Sequence, residues 1–352
     1  MININMDKKR RRSRSPEKTS TERRDKKRYR VEATTPPALD INNYQLIKKL
    51  GEGSFGKVML ASYTIKKQHV ALKLIEKEEE TNHKDIRMEA AILRLGRICP
   101  FLIRAYATFQ TESLVVYAME YARGGTLHQL IERQQYFTSL EVQFYSAEIF
   151  LGLQYLQKYG IVHRDLDTEN ILLNEEGHVK IADFGLACTN QLGSKAYHGI
   201  VGASGYMAPE VLADTAYDAS ADWWSFGVVV YEMATGMLPF SPAGTSQEQL
   251  DNIMSREPYY PKHVRPKLRD FIQQLLKKKA EHRLGVCANV QDHPFFSSVN
   301  WKNLKKQRLV PPLTPTIKPI DGLSNIPFPE YNITGTCMIK DLTYIDPIWL
   351  DK

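Results

Sequence analysis

The pattern of hydrophobic and polar positions divides the chain into two regions with different periodicity. Between residues 44 and 121, short runs rich in β-branched and aromatic residues occur at residues 57–63, 69–75 and 114–121. A single stretch with helical spacing, residues 84–95, interrupts them. Apolar runs of this length and composition are typical of β-strands. The region is therefore predicted to be a small, strand-rich lobe with one helix.

Helical periodicity dominates from about residue 127 to residue 296. Thr138 followed by Glu141 is a capping box that opens a helix predicted to reach about Tyr159. Residues 222–235 are apolar on nearly every face, which predicts a helix buried inside this lobe. A small sheet lobe followed by a larger helical lobe leaves a cleft, the usual place for a small-molecule site.

Composition narrows the class of protein. The 352 residues are 43% hydrophobic and 25% charged, as in an ordinary globular protein. The apolar runs are far shorter than the roughly 20 residues needed to cross a bilayer, so no membrane span is predicted. The four cysteines are scattered without paired spacing, which indicates neither a disulfide framework nor a zinc site. We therefore expect an intracellular protein, in the cytoplasm, the nucleus or both.

The positive charge is concentrated at the N-terminus. Residues 1–30 hold 13 lysines and arginines against 4 acidic residues, whereas the whole chain carries a net charge of +7. Such a segment cannot bury enough apolar surface to fold, so residues 1–40 are predicted to be a disordered basic tail. Its two basic clusters, residues 8–12 and 23–28, have the spacing of a bipartite nuclear import signal. The same clusters could bind nucleic acid or an anionic membrane surface through electrostatic attraction. The alternative is a solvated tail that binds no dedicated partner.

Three glycines in residues 51–58 suit a loop that holds phosphate groups. Gly51, Gly53 and Gly56 lie between two predicted strands. Glycine lets backbone N–H groups approach phosphate oxygens because no Cβ stands in the way. Alone the triplet is a weak signal, since ordinary hairpins contain such glycines too.

Lys73 ends an apolar run that is suited to burial. A buried ammonium group needs a charged partner or it loses its proton. Glu89, in the helical stretch 84–95, can supply a carboxylate, and phosphate oxygens would serve as well. For a random pair, an exposed lysine and a solvated glutamate are the more frequent arrangement.

A polar loop followed by an Asp-Phe-Gly motif carries the strongest signal. Asp165 and Asn170 lie in His-Arg-Asp-Leu-Asp-Thr-Glu-Asn, and Asp183 opens the Asp-Phe-Gly motif. Mg²⁺ prefers oxygen ligands and keeps substrate phosphates in its shell, so Asn170 and Asp183 suit it chemically. Ala-Pro-Glu at residues 208–210 and Asp-Trp-Trp-Ser-Phe-Gly at residues 222–227 follow in order. Chance occurrence of the whole series is negligible.

This series resembles the protein kinase superfamily, and within it the catalytic domain of novel, delta-like members of the protein kinase C branch of the AGC group. The resemblance covers about residues 42–320. It implies an α+β bilobal fold, with a small antiparallel-sheet N-lobe carrying one key helix and a larger helical C-lobe. The implied bounds are residues 44–296 for the kinase domain, about 44–121 and 122–296 for the lobes, and 297–352 for an AGC-type C-terminal extension.

The resemblance also implies an activity, the transfer of the ATP γ-phosphate to serine or threonine hydroxyls of protein substrates with Mg²⁺. Asp165 would accept the hydroxyl proton, Lys73 and Glu89 would form the phosphate-binding pair, and Asn170 and Asp183 would hold Mg²⁺. Met119 would be the gatekeeper beside the adenine edge. The residues implied to bind the nucleotide are Leu50, Gly51, Gly53, Gly56, Val58, Ala71, Lys73, Met119, Glu120 and Ala122.

Two departures from the family pattern concern the transferring phosphate. Asp167 stands where the family has a lysine that contacts this phosphate, and Ala203 replaces the threonine that contacts both this lysine and the catalytic aspartate. At about 4 Å and an effective dielectric near 20, each unit charge pair is worth roughly 4 kcal/mol. The reversal could cost several kcal/mol of transition-state stabilisation, and an aspartate that rotates away would limit the loss.

A third departure concerns the activation loop. Gly199 occupies the position of the usual phosphothreonine, whose phosphate would pair with Arg164. Neither Ser194 nor Tyr197 aligns with that position. The loop is therefore expected either to need no such switch or to be held by other contacts.

The resemblance also bears on substrates and on the C-terminus. Glu169 and Glu232 align with acidic positions that attract basic residues near the target hydroxyl, but a third such position is Thr126, so we expect a weakened preference for arginine and lysine. Residues 342–347 resemble a degenerate hydrophobic motif that docks on the small lobe, with Thr343 as its phosphosite. An unstructured end is the alternative.

Three hypotheses follow. The first is an active serine/threonine kinase without direct diacylglycerol or calcium control, since forty residues without zinc ligands cannot build the family's regulatory modules. The second, motivated by Asp167 and Ala203, is a pseudokinase or scaffold that binds nucleotide or partners but transfers phosphate poorly. In the third, the main function lies in the basic tail, which would tether the protein to nucleic acid.

Overall fold

The computed structural model describes residues 35–53, 56–78, 82–189, 197–320, 326–328 and 338–350. The chain divides into two units, Met1–Thr35 and Pro36–Lys352. The predicted disorder of residues 1–34 lies outside the described residues. Within the described part, no helix is both long and apolar enough to span a bilayer.

The ordered structure begins earlier than the predicted tail boundary at residue 40. Pro37–Leu39 forms a 3₁₀ turn, and Ala38 is buried. The hydroxyl of Tyr44 donates a hydrogen bond of 2.8 Å to the Ala38 carbonyl. The prolines limit the backbone before folding, which lowers the entropy cost of ordering this short segment.

A six-stranded antiparallel sheet forms the small lobe, as expected for an α+β bilobal fold. Its strand order is β1-β2-β3-β5-β4-β10. Five strands match the predicted strand-rich region, and the sixth comes from the C-terminal end of the chain. The strands are β1 (Tyr44–Gly53), β2 (Gly56–Tyr63), β3 (Gln68–Glu76), β4 (Ala105–Gln110), β5 (Leu114–Glu120) and β10 (Tyr344–Ile345).

The predicted helix of this lobe is α1 (His83–Leu95). Asn82 caps it, and its side chain accepts a hydrogen bond of 3.0 Å from the backbone N–H of Lys84. The buried face of the helix is apolar except for Glu89, which is 4% exposed. A buried carboxylate on an otherwise apolar face needs a cationic partner, which the sheet supplies.

The large lobe is mainly helical. Thr138 caps α3 in the predicted capping box with Glu141, and every residue of α5 is buried, as its sequence predicts. Gly236, with φ of 73°, ends α5 in the left-handed conformation. The elements are α2 (Leu127–Gln134), α3 (Ser139–Lys158), β6 (Ile161–Val162), β7 (Ile171–Leu173), β8 (Val179–Ile181), β9 (Cys188–Thr189), α4 (Pro209–Leu212), α5 (Ser220–Thr235), α6 (Ser246–Ser255), α7 (Pro266–Leu275) and α8 (Trp301–Leu304).

A buried ion pair joins α4 to the segment after α7. The fully buried guanidinium of Arg283 contacts both carboxylate oxygens of Glu210, at 2.7 and 3.0 Å. It also donates to the carbonyls of Ser220 and Lys277.

The C-terminal segment docks on the small lobe instead of remaining unstructured. Leu342 is fully buried, and the carbonyl of Leu342 accepts hydrogen bonds from Arg94 and Thr108. Strand β10 pairs with the edge strand β4, and Thr343 just before it is exposed. The segment predicted to dock on the small lobe therefore extends its sheet, because β4 offers unpaired backbone groups at its edge.

Trp349, in the short helix α9 (Pro347–Leu350), anchors this segment. Its ring stacks on Tyr63 and Tyr106, with centroids 4.4 and 4.7 Å apart, and lies 6.4 Å from the ring of Tyr44. The side chain is 6% exposed. A docked indole of this size contributes a large apolar area to the fold.

We predict that Trp349→Ala lowers the free energy of unfolding by about 3 kcal/mol, in the range for buried tryptophan truncations. Urea unfolding followed by circular dichroism measures this change. The matched control is Ile348→Ala, because Ile348 is 56% exposed and its loss should cost less than about 0.5 kcal/mol. Equal stability of the two variants would show that the segment does not dock.

Candidate active site

A cleft of about 480 Å³ lies between the sheet and the helical part of unit Pro36–Lys352. This volume is within the range of small-molecule sites. Its walls come from β1, β2, β3 and β5 on one side and from the loop between β6 and β7 on the other. Of the residues predicted for the site, the cleft brings together Leu50, Gly51, Val58, Ala71, Lys73, Glu89, Met119, Glu120, Ala122, Asn170 and Asp183.

Three predicted site residues do not line this cleft, namely Gly53, Gly56 and Asp165. Gly56 has φ of 116°, and a Cβ there would lie 2.3 Å from the Leu74 carbonyl oxygen. Its glycine is therefore required by the packing of the hairpin. At Gly51 and Gly53 a Cβ would meet no described atom within 4 Å, so these two positions border open space. Residues 54–55 between them and Gly56 lie outside the described residues.

The cleft also contains residues that the sequence analysis missed. Leu172 lines the cleft and belongs to the apolar run that follows Asn170, so this run could have indicated its position from the sequence. Thr316, Lys318 and Ile320 come from the C-terminal extension. Arg133 on α2 holds this segment by hydrogen bonds to Thr316 and to the carbonyl of Thr314, a long-range contact with no local sequence pattern.

A buried carboxylate positions the loop between β6 and β7. Asp222 on α5 is 6% exposed and accepts hydrogen bonds from the backbone N–H groups of His163 (2.8 Å) and Arg164 (3.0 Å). Arg164 has φ of 68° and Asp183 has φ of 54°, both unusual for residues other than glycine. Backbone strain of this kind persists only where surrounding contacts hold it, and it clusters at functional sites.

Asp165 lies in this loop beside Asn170. The Asn170 side-chain amide donates to the Asp165 carbonyl oxygen at 2.9 Å and to its carboxylate Oδ2 at 3.2 Å. Burial raises the pKa of Asp165, and the neighbouring carboxylate of Asp183 adds to the rise. A carboxylate with a raised pKa is a better proton acceptor than an ordinary aspartate.

Lys73 on β3 lies between two carboxylates. Its Nζ is 2.5 Å from Glu89 Oε1 and 3.2 Å from Asp183 Oδ1. Burial alone would lower the pKa of Lys73, but these two carboxylates raise it, so the ammonium stays charged. Conversely, Lys73 outweighs the effect of burial on Asp183 and holds its pKa below the ordinary value. The cation therefore links β3, α1 and the segment after β8.

Asp167 turns its carboxylate towards the backbone of its own loop. Its Oδ1 accepts a hydrogen bond of 2.7 Å from the N–H of Asn170, and the backbone of Glu169 also bonds it. Burial raises the pKa of Asp167 to about 6. The expected repulsion of phosphate is thus reduced but not removed. The backbone of Ala203 hydrogen-bonds Asp165, so Asp165 keeps a contact to this position although the threonine hydroxyl is absent.

Comparison with known proteins identifies the family. The family model for the protein kinase domain matches residues 44–296. Human protein kinase C delta type is 37% identical over 87% of this chain, which covers 46% of that protein. A protein kinase C of Drosophila melanogaster is 36% identical over 81% of the chain and 39% of its own length. The chain belongs to the protein kinase family.

This chain is matched over most of its own length but covers only part of each relative. Protein kinase C-like 2 of Schizosaccharomyces pombe is 36% identical over 79% of the chain, but only 28% of that protein is covered. The chain therefore spans less than half the length of these curated relatives. The resemblance inferred from the motifs to an AGC kinase of the protein kinase C type is confirmed.

The activation segment of this kinase holds Arg164 with aromatic side chains. The guanidinium of Arg164 lies 5.7 Å from the ring centroid of Tyr197 and hydrogen-bonds the hydroxyl of Tyr217. Tyr197 and Tyr217 also exchange backbone hydrogen bonds of 2.7 and 2.9 Å. Gly199, at the usual phosphothreonine position, donates its N–H to Asp214 at 2.8 Å. Ser194 lies outside the described residues.

We predict that Tyr197→Ala loosens this segment without any change in phosphorylation. Amide hydrogen exchange at Tyr217 should become about fivefold faster, since a cation–π contact is worth on the order of 1 kcal/mol. Tyr259→Ala is the control, because Tyr259 is 72% exposed. Phosphatase treatment of the wild type should leave the exchange rate unchanged. A faster rate after phosphatase treatment would instead assign the order of the segment to a phosphate.

Proposed function

We propose that this chain is an active protein kinase that transfers the γ-phosphate of ATP to serine or threonine hydroxyls of protein substrates. The observation that carries the proposal is the geometry of Lys73, Glu89 and Asp183, which places one charged ammonium between two carboxylates at the cleft. The pseudokinase alternative rests on Asp167 and Ala203, and the contacts of both residues weaken it.

In the proposed reaction, Asp165 orients the substrate hydroxyl and accepts its proton. Asn170 holds the Asp165 carboxylate in place, and Asp222 holds the loop that carries both. Lys73 would bind phosphate oxygens through its ammonium group, which Glu89 fixes in position. Each of these groups orients or neutralises charge, which is the main part of catalysis in phosphoryl transfer.

The donor set at the cleft fits ATP with Mg²⁺. Asn170 and Asp183 both line it, and their side chains offer oxygen ligands. No cluster of three or more histidine, cysteine or acidic residues suited to a metal ion occurs in the described ranges. Mg²⁺ commonly takes one or two protein carboxylates together with phosphate oxygens and water, so two protein ligands suffice. The bound ion would neutralise phosphate charge during the transfer.

We predict that the wild type phosphorylates a serine peptide with labelled ATP and Mg²⁺, and that Asp165→Asn lowers kcat at least about a hundredfold. Loss of a positioned general base typically costs this much or more. Glu281→Gln is the control, because Glu281 is exposed and does not line the cleft. A wild type that binds ATP but transfers no phosphate would favour the scaffold alternative.

We further predict that Asp167→Asn raises kcat/KM for ATP about tenfold. Asparagine keeps the Oδ1 acceptor for the Asn170 N–H but removes the charge, and tenfold corresponds to about 1.4 kcal/mol. Initial rates at several ATP concentrations measure the change, with Asp251→Asn on the exposed face of α6 as control. Unchanged kinetics would show that the Asp167 charge does not reach the phosphate.

The same substitution should change the pH dependence of stability. Because burial raises the pKa of Asp167 from 3.8 to about 6, its ionisation costs the folded state free energy above pH 6, and that cost disappears below pH 4. Asp167→Asn should therefore stabilise the protein at pH 7.5 more than at pH 4. Thermal unfolding at the two pH values compares the variants.

A further inference from the structure

Asp214 lies directly after helix α4 in a conformation that costs an aspartate free energy. Its φ is 48°, in the left-handed region where a helix commonly ends with glycine. An acidic residue directly after a helix is also unfavourable, because the last carbonyl groups of the helix carry partial negative charge. A residue that breaks local rules in this way often contributes an interaction elsewhere in the structure.

The interaction that Asp214 makes is with the activation segment. Its Oδ1 accepts a hydrogen bond of 2.8 Å from the N–H of Gly199, fifteen residues earlier in the chain. The hydroxyl of Tyr217 lies 3.4 Å from the Gly199 carbonyl oxygen, so both backbone groups of this glycine face side chains that follow α4. Gly199 has φ of 100°, which a residue with a side chain rarely adopts. The two contacts therefore select one of the several conformations open to a glycine.

Helix α4 is a firm support for Asp214. Val211 and Leu212 are each 4% exposed, and Glu210 pairs with the fully buried guanidinium of Arg283. The N–H of Asp214 donates a hydrogen bond of 3.0 Å to the Val211 carbonyl, which fixes the backbone directly after the helix. A carboxylate on such a support can hold another segment in place, because its own position is already fixed by packing and hydrogen bonds.

The segment that Asp214 holds leads directly to Asp165. Gly202 passes so close to the loop between β6 and β7 that a Cβ there would lie 2.6 Å from the Arg164 carbonyl oxygen. The backbone N–H of the next residue, Ala203, hydrogen-bonds the Asp165 carboxylate. Only three residues separate Ala203 from the glycine that Asp214 binds. A displacement of that glycine would therefore move the backbone group that binds Asp165.

We propose that Asp214 is a positioning residue that acts on catalysis through the activation segment. Its carboxylate fixes Gly199, and the segment up to Ala203 then holds the Asp165 carboxylate where it can accept the proton of a substrate hydroxyl. The proposal rests on the proposed kinase function and deepens it, because it names one contact that holds the segment in place of a phosphate. Asp214 does not itself line the cleft.

Hydrogen exchange of the Gly199 and Ala203 amides tests whether Asp214 holds the segment. All proteins are first treated with phosphatase, so that no phosphate contributes. Asp214→Gly removes the carboxylate but accepts the left-handed backbone, so the fold should be retained. Both amides should exchange about threefold to tenfold faster, the range for one partly exposed hydrogen bond. Asp214→Asn keeps an oxygen acceptor and tolerates this φ, so it should restore most of the protection.

Steady-state kinetics with a serine peptide tests the effect on catalysis. In Asp214→Gly, kcat/KM for the peptide should fall about threefold to tenfold, in step with the exchange. KM for ATP should not change, because no described residue between 184 and 315 lines the cleft. The midpoint of thermal unfolding should stay close to that of the wild type, since relief of the left-handed strain offsets the extra freedom that glycine gives the unfolded chain. A residue that acted only on overall stability would change the midpoint as well.

Asp341→Gly is the matched control for both measurements. Asp341 is also an exposed aspartate in the left-handed region, with φ of 60°. It lies in the C-terminal segment that docks on the small lobe, so its substitution should change neither the exchange at Ala203 nor the peptide kinetics.

The outcomes separate this proposal from the proposed function. Equal exchange of the Gly199 and Ala203 amides in wild type and Asp214→Gly would overturn the role of Asp214. Faster exchange with an unchanged kcat/KM for the peptide would overturn it too, since the contact would then have no effect on catalysis. A wild type that transfers no phosphate would overturn the kinase activity instead. The exchange rates alone would then decide the role of Asp214, with faster exchange supporting it and equal exchange excluding it.

Discussion

The ammonium group of Lys73 is the charge on which the architecture of the site depends. It lies within the sheet, where an ion without partners would cost several kcal/mol. Glu89 on α1 and Asp183 after β8 supply the partners, so one cation joins the sheet, the helix and the segment after β8. Removing one partner of such a pair typically costs about 3 to 5 kcal/mol because it leaves the other charge buried alone.

The second constraint is the backbone of the loop between β6 and β7, which polar groups hold in a strained conformation. Asp222 binds two successive N–H groups of this loop from the buried helix α5. Asp167 binds the loop from within and thereby acquires a structural role in place of a lysine. Local hydrogen bonds thus offset part of the repulsion expected from an aspartate at the position of a lysine, because an aspartate side chain is short enough to bond the backbone of its own loop.

The departures from the family pattern have one physical feature in common, the loss of a charge that the family pattern supplies. Where the usual phosphothreonine position is Gly199, the Arg164 guanidinium meets the ring face of Tyr197 and the hydroxyl of Tyr217. In that segment, as at Asp167, contacts within the chain take the place of a charge that the family pattern supplies.

The sequence by itself determined the lobes, the strands of the sheet, the helices α1, α3 and α5, and the motifs that carry the chemistry. These depend on local periodicity, capping residues and spacing, which any segment displays without its partners. Tertiary structure alone decided the inward turn of Asp167, the contact between Asp214 and Gly199, the docking of Trp349 and the entry of Thr316 into the cleft. Each of these features either joins segments that are distant in sequence or depends on the rotamer of one side chain. Long-range contacts and rotamers leave no periodic pattern in the sequence, so the sequence does not indicate them.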